Sequence, residues 1–149
     1  MTCSHCAAFH NGTYKQLKEK YIDTGRVRFT IREFPFDPLS MAGFMLARCQ
    51  GADKRAAMIE LLFAQQNVWT GDKPLEGLTT LSRQAGMAAD AFKACLDDKK
   101  AYEEIGRLRD RAQQKFGVSS TPTFFINGTV LQGNQSLEEF EKAMAPFLK

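Results

Sequence analysis

The tightest constraint on the fold of this chain is a change of pattern along it. From Leu39 to Phe116 no strand signal appears, whereas the residues on either side carry one. Before the stretch, Val27, Phe29 and Ile31 alternate with Arg26, Arg28, Thr30 and Arg32. Period two with β-branched and aromatic residues predicts a strand with one wet face over Arg26–Phe34, ended by Pro35 and Pro38. After the stretch, Ser119-Ser120-Thr121-Pro122 leads into Thr123-Phe124-Phe125-Ile126, then Asn127-Gly128, then Thr129-Val130-Leu131. Asn-Gly between two apolar runs is the strongest short hairpin signal. Ser136 followed by Glu139 reads as a capping box opening a last helix, Leu137 to Leu148.

Helical periodicity fills the middle. Helices are expected over roughly 39–50, 53–68, 75–85, 88–98 and 99–116, punctuated by Gly51, Gly71, Gly86 and Gly117. Met41, Phe44, Met45 and Cys49 share one face, and Met58, Ile59, Leu62 and Phe63 another. Phe92, Cys95 and Leu96 form a third, and Ile105, Leu108, Ala112 and Phe116 a fourth. Such stripes, methionines included, read as packed core. At the start, Cys3 to Asp23 reads as one helix with an apolar face through Tyr14, Leu17 and Tyr21, stopped at Gly25.

The element order is helix, strand, helical block, hairpin, helix. One strand supplied ahead of Cys3 turns this into βαβ, insertion, ββα. The fold class is therefore α/β: a thioredoxin-like fold with an inserted helical domain, its first strand, the one before the Cys-x-x-Cys, missing from this chain. Residues 1–37 and 117–149 are expected to form the two thioredoxin-like halves and 38–116 the insertion.

Composition narrows the function classes. Of the 149 residues 44% are hydrophobic and 25% charged, ordinary globular usage that excludes a disordered chain. No apolar run is long enough to span a membrane, so the chain is not expected to be membrane-embedded. The net charge of +3 is spread among 17 acidic residues, which argues against nucleic acid as a partner.

Four cysteines remain to be explained: Cys3, Cys6, Cys49 and Cys95. Cys3 and Cys6 form a Cys-x-x-Cys at a helix N-terminus, where unpaired N–H groups and the helix dipole favour negative charge. A thiolate on Cys3 is stabilised there and becomes a nucleophile and a good leaving group. Cys6, one turn on, can close a disulfide and resolve a mixed one. Ser4 and His5 lie between them, and a histidine there favours the thiolate and makes the disulfide more oxidising. The rival is half a zinc site, which needs four ligands. A second Cys pair is lacking, and His10 reads as a solvent-facing helical residue. Thr121-Pro122 at a strand start fits a cis proline beside the dithiol, leaving backbone free to pair with an extended peptide. An ordinary trans proline entering a strand is the alternative.

Three segments together resemble a known family: Met1 to His10 (MTCSHCAAFH), Arg32 to Asp37 (REFPFD) and Gly117 to Gly128 (GVSSTPTFFING). They look like the DsbA-like thiol:disulfide oxidoreductases of bacteria, and the likeness runs over nearly the whole chain. The resemblance implies an enzyme, a protein disulfide oxidoreductase, exchanging dithiols and disulfides with unfolded or reduced client proteins. It implies a periplasmic, exported full-length protein, a membrane or soluble redox partner, and no cofactor, because the disulfide itself carries the electrons. Carried over, Cys3 and Cys6 are the redox pair, Ser4 and His5 the tuning dipeptide, and Thr121-Pro122 the cis-proline loop. Threonine before the proline is shared with isomerase-leaning relatives, so isomerase or reductase is the alternative within redox chemistry. A metal-binding module using the two thiolates is the alternative outside it.

Three structural expectations follow. Cys3 should be the exposed thiol and Cys6 the buried one. In an exported compartment Cys49 and Cys95, each on an apolar helical face, should form a structural disulfide; two separate buried thiols are the alternative. Finally, relatives carry a strand and a signal peptide before the motif, and this sequence begins at Met1-Thr2-Cys3. A truncated chain with a gap between Arg26–Phe34 and the hairpin, unstable or self-associating, is expected; a natural short protein with a rearranged sheet is the alternative.

Overall fold

The computed structural model describes all residues, Met1–Lys149, which divide into two compact units. One unit comprises Met1–Thr2 and Glu33–Gly117; the other comprises Cys3–Arg32 and Val118–Lys149.

The first unit is wholly helical. Its helices, numbered in chain order after the two of the N-terminal segment, are α3 (Pro38–Cys49), α4 (Ala52–Ala64), α5 (Gln66–Trp69), α6 (Pro74–Gln84), α7 (Ala89–Leu96) and α8 (Lys99–Phe116). Their starts are written locally. Asp37 caps α3, its carboxylate accepting the Ser40 N–H, with Pro38 at the first turn where its missing N–H does no harm. Asp98 caps α8 by accepting the Ala101 N–H at 3.0 Å. The expected stripes of α3 and α4 are the core: Met41, Phe44, Met45, Met58, Ile59, Leu62 and Phe63 are buried. They are joined by the fully buried Leu46, Trp69, Leu81 and Ile105. The indole N–H of Trp69 donates to the Leu62 carbonyl at 2.8 Å, so its one polar atom is satisfied in the interior. Gly77 of α6 lies against α5 so closely that a Cβ would stand 2.6 Å from the Cα of Trp69. Only glycine permits that approach. Of the expected stripes Phe92, Leu96, Leu108 and Ala112 are only half-buried, and two residues, Cys49 and Phe116, are exposed. Each is the last residue of its helix, where the face turns out from the packed rows.

The second unit holds α1 (Ser4–Asn11), α2 (Thr13–Leu17), the hairpin strands β1 (Thr123–Ile126) and β2 (Thr129–Gln132), and α9 (Leu137–Met144). The helix expected to run unbroken to Asp23 is interrupted. Gly12 leaves helical geometry, and after α2 a π-helical turn covers Lys18–Ile22. The C-terminal helix also ends early, at Met144, and continues as a 3₁₀ turn over Ala145–Phe147, which contains Pro146. Of the capping box, Ser136 accepts the Glu139 N–H, while the Glu139 carboxylate pairs with Lys142 instead of reaching back. The hairpin has the predicted turn: Asn127 and Gly128 both take positive φ, and Ile126 faces Thr129 across it.

The strand predicted over Arg26–Phe34 is not one. β1 and β2 are the entire sheet. Burial nevertheless alternates as the sequence does, with Val27, Phe29 and Ile31 half-buried and Arg26, Arg28, Thr30 and Arg32 exposed. Val27 and Phe29 pack with Phe124, Ile126 and Leu131 around a core of Phe9, Leu17, Tyr21, Phe140 and Met144. The side-chain pattern is thus satisfied while the backbone ladder is not, because a strand exists only where a second one offers N–H and C=O groups in register.

Candidate active site

Cys3 is the N-cap of α1, in extended conformation, and its Sγ accepts the Cys6 N–H at 3.0 Å. A sulfur in this position lies among the unpaired N–H groups of the first turn, where developing negative charge is favoured. Cys3 and Cys6 are joined in a disulfide with Cα atoms 5.2 Å apart. The Thr121–Pro122 peptide is cis, and the Thr121 carbonyl oxygen lies 3.5 Å from Cys3 Sγ. Cysteine motif and proline loop, 118 positions apart in the chain, therefore meet at one sulfur atom. The loop is fixed locally: Thr123 Oγ1 donates to the Ser120 carbonyl at 2.7 Å, and the Gly133 N–H donates to the Pro122 carbonyl at 2.8 Å.

Ser4 and His5 are exposed, on the outer side of the first turn. The expected exposure of the two cysteines is reversed in this oxidised state. Cys3 is 8% exposed and Cys6 half-buried. As the capping residue, Cys3 precedes the helix and folds its sulfur back over the first turn against the proline loop.

Residues 1–145 match a family model described as thioredoxin. The chain belongs to the thioredoxin family. Within it, the chain is DsbA-like. The crystal structure of α-DsbA1 of Wolbachia pipientis superposes with a TM-score of 0.91 at 28% identity, over 97% of this chain and 80% of that one. A Rickettsia bellii protein named as a protein-disulfide oxidoreductase is 32% identical over 96% of this chain and 56% of its own length. The chain thus spans about half the length of the curated relatives it matches. A protein-disulfide isomerase of Novosphingobium aromaticivorans shares the fold, with a TM-score of 0.77 at 20% identity, over 99% of this chain and 88% of that one.

The remaining cysteines of this DsbA-like chain lie in the helical unit. Cys49 at the end of α3 and Cys95 in α7 are disulfide-bonded, Cα to Cα 6.0 Å. Two features of the unit that holds the motif and of its neighbour were not read from the sequence. His10, expected to face solvent, is 5% exposed and stacks on Tyr14 with ring centroids 4.4 Å apart. Burial, aided by the nearby Lys15 charge, pushes its pKa down to about 4, so the imidazole is neutral at pH 7. Position i, i+4 from Cys6 is the signal that was available, since it puts His10 on the inner face of α1. In the helical unit Glu33 is 2% exposed and held by Arg48, at 2.8 Å, and by Arg55. Nothing in the local pattern marks Glu33; its partners come from α3 and α4.

Proposed function

We propose that this chain catalyses dithiol–disulfide exchange with client proteins through Cys3 and Cys6. The observation that carries the reading is the placement of Cys3 Sγ, accepting the Cys6 N–H at 3.0 Å and lying 3.5 Å from the Thr121 carbonyl of the cis-proline loop. A client thiolate attacks Cys3 Sγ; the Cys3–Cys6 bond breaks and Cys6 leaves as thiolate, giving a mixed disulfide. A second client thiolate attacks the client sulfur of that bond, and Cys3 departs as thiolate. The client gains a disulfide and the motif gains two electrons, to be passed to a separate redox partner. The departing Cys3 thiolate is the species that the Cys6 N–H and the α1 dipole stabilise. The extended backbone at Thr121-Pro122 offers a client strand its main-chain groups. Cys49 and Cys95 act as a structural disulfide, and an exported, periplasmic setting, where such bonds persist, accords with that pair.

The test is oxidation of a reduced dithiol peptide by the oxidised protein. One peptide disulfide should form per Cys3–Cys6 pair and none with Cys3→Ala, whereas reduced Cys6→Ala, its Cys3 thiolate attacking a disulfide-bonded peptide, should be trapped as the mixed disulfide. Loss of none of these activities in Cys3→Ala overturns the reading. Scrambled-disulfide refolding and zinc titration of the reduced protein separate the isomerase and metal-binding alternatives.

A further inference from the structure

The helical unit carries an open cleft of about 350 Å³ lined by Arg48, Glu104, Arg107, Leu108 and Arg111. Its size falls in the range of small-molecule sites, about 300–1,000 Å³. Three guanidinium groups face a single carboxylate, and that carboxylate is already engaged: Arg48 Nη1 donates to Glu104 at 3.0 Å. Arg48 Nε donates to the buried Glu33 at 2.8 Å. Two carboxylates thus fix the plane of Arg48 and leave its Nη2 unbonded, a donor whose ordering cost is met before any ligand arrives. Arg107 and Arg111, one turn apart on α8, form no ion pair, and the Arg111 guanidinium rests 5.8 Å from the centre of the Phe116 ring. Leu108 lies between them on the same helix, and with the arginine stems it makes the wall largely apolar.

We propose that this cleft binds a small organic anion, with a carboxylate or phosphate head on an apolar body. The head meets the forked donors of Arg107 and Arg111 with Arg48 behind them, a geometry suited to planar oxyanions. The body lies on Leu108. The three guanidinium groups disfavour cationic ligands, and Glu104, being spent on Arg48, does not cancel the two free ones.

The test is titration of the 149-residue protein with phenyl phosphate and with benzoate, followed by NMR or calorimetry. Inorganic phosphate and phenol serve as the head-only and body-only controls. One aromatic anion should saturate a single site about tenfold more tightly than either control, and which one does so names the head group. Arg107→Gln/Arg111→Gln should weaken it about tenfold at unchanged circular dichroism, and binding should fall with salt. Arg107→Gln alone, at a side chain without an ion pair, should lose part of the affinity and covers the case in which the double variant unfolds. Lys115→Gln, on the same helix outside the cleft, should bind as the parent does. Absence of saturable binding, equal binding by the arginine variants, or an equal loss in Lys115→Gln, which would mark a diffuse basic surface, overturns the proposal.

Discussion

The two units solve the burial problem differently. The helical unit closes its own interior: the backbone ladder of each helix is internal to that helix, and Trp69, Leu62, Leu81 and Ile105 lose all or nearly all contact with water. The unit with the cysteine motif buries an aromatic cluster, with Phe9 4.5 Å from Phe124 and 5.4 Å from Phe140 between ring centroids. Yet its sheet has two strands only, and the segment Arg26–Arg32 has the side-chain pattern of a strand without a ladder. Helices carry their hydrogen bonds with them, whereas a strand depends on a neighbour. One unit is therefore closed as a packed object, and the other carries the Cys3–Cys6 motif on a framework with unpaired edges.

The sharpest break between the units is chemical. Cys3→Ala is expected to lower dithiol oxidation by at least about a thousandfold, since no second nucleophile stands at the cap. It should leave the near-ultraviolet signature of Trp69 unchanged. A variant that retains oxidation would move the chemistry out of the motif. The next largest effect belongs to the helical unit. Cys49 and Cys95 lie 46 positions apart, for which the chain-entropy model gives about 4 kcal/mol, an upper figure. Cys49→Ser/Cys95→Ala should accordingly lower the denaturant midpoint while peptide oxidation at low temperature persists. Loss of oxidation with full stability would reverse the division of labour.

The helical unit was the more legible of the two in the sequence. Its helices lie within a few residues of their expected limits because caps and 3.6-residue periodicity are local. The stretch expected as one helix over 53–68 is two, α4 and α5, since Trp69 must turn in to reach the Leu62 carbonyl. The hairpin was legible for the same local reason, through Asn127-Gly128. Pairing over long distance was not. The alternation of Val27, Phe29 and Ile31 states which side chains face inward and says nothing about whether a partner strand is present. At the site, the cysteine motif and Thr121-Pro122 could be named from their residues, but the burial of Cys3 depends on the proline loop, 118 positions away. His10 and Glu33 escaped for a related reason: polar residues go inside only where distant partners or rings accept them.

His10 gives the motif-bearing unit a pH dependence of its own. Its folded pKa, lowered by burial first and by Lys15 second to about 4, lies below the ordinary value of 6.5. Between those two values the unfolded chain binds the proton and the folded one resists it. Stability is therefore fully present above about pH 6.5 and is lost as pH falls toward 4, by up to about 3 kcal/mol. Urea midpoints at pH 7.5 and pH 5 read this, and His10→Phe, which keeps a ring against Tyr14, should flatten the difference. An equal acid loss in His10→Phe would assign it to other groups.

The smallest effect falls on the segment without a ladder, and it tests the contrast most directly. Ile31 is half-buried and Leu62 is 0% exposed. Leu62→Ala removes methyl groups from a closed interior and should cost about 2–5 kcal/mol. Ile31→Ala removes similar volume where water already reaches the side chain, and the neighbouring backbone has no pairs to lose, so about 1 kcal/mol is expected. Hydrogen exchange gives the same contrast without mutation. The amides of Arg28, Thr30 and Arg32 form no backbone hydrogen bond and should exchange within the fastest class, while those of α3 and α4 exchange only on larger openings. Protection of Arg28–Arg32 equal to that of α4 in the monomer would mean that this segment is laddered in solution, and the contrast between the two units would disappear. Protection that rises with protein concentration would instead locate the unpaired edge as the place where a second copy adds a strand.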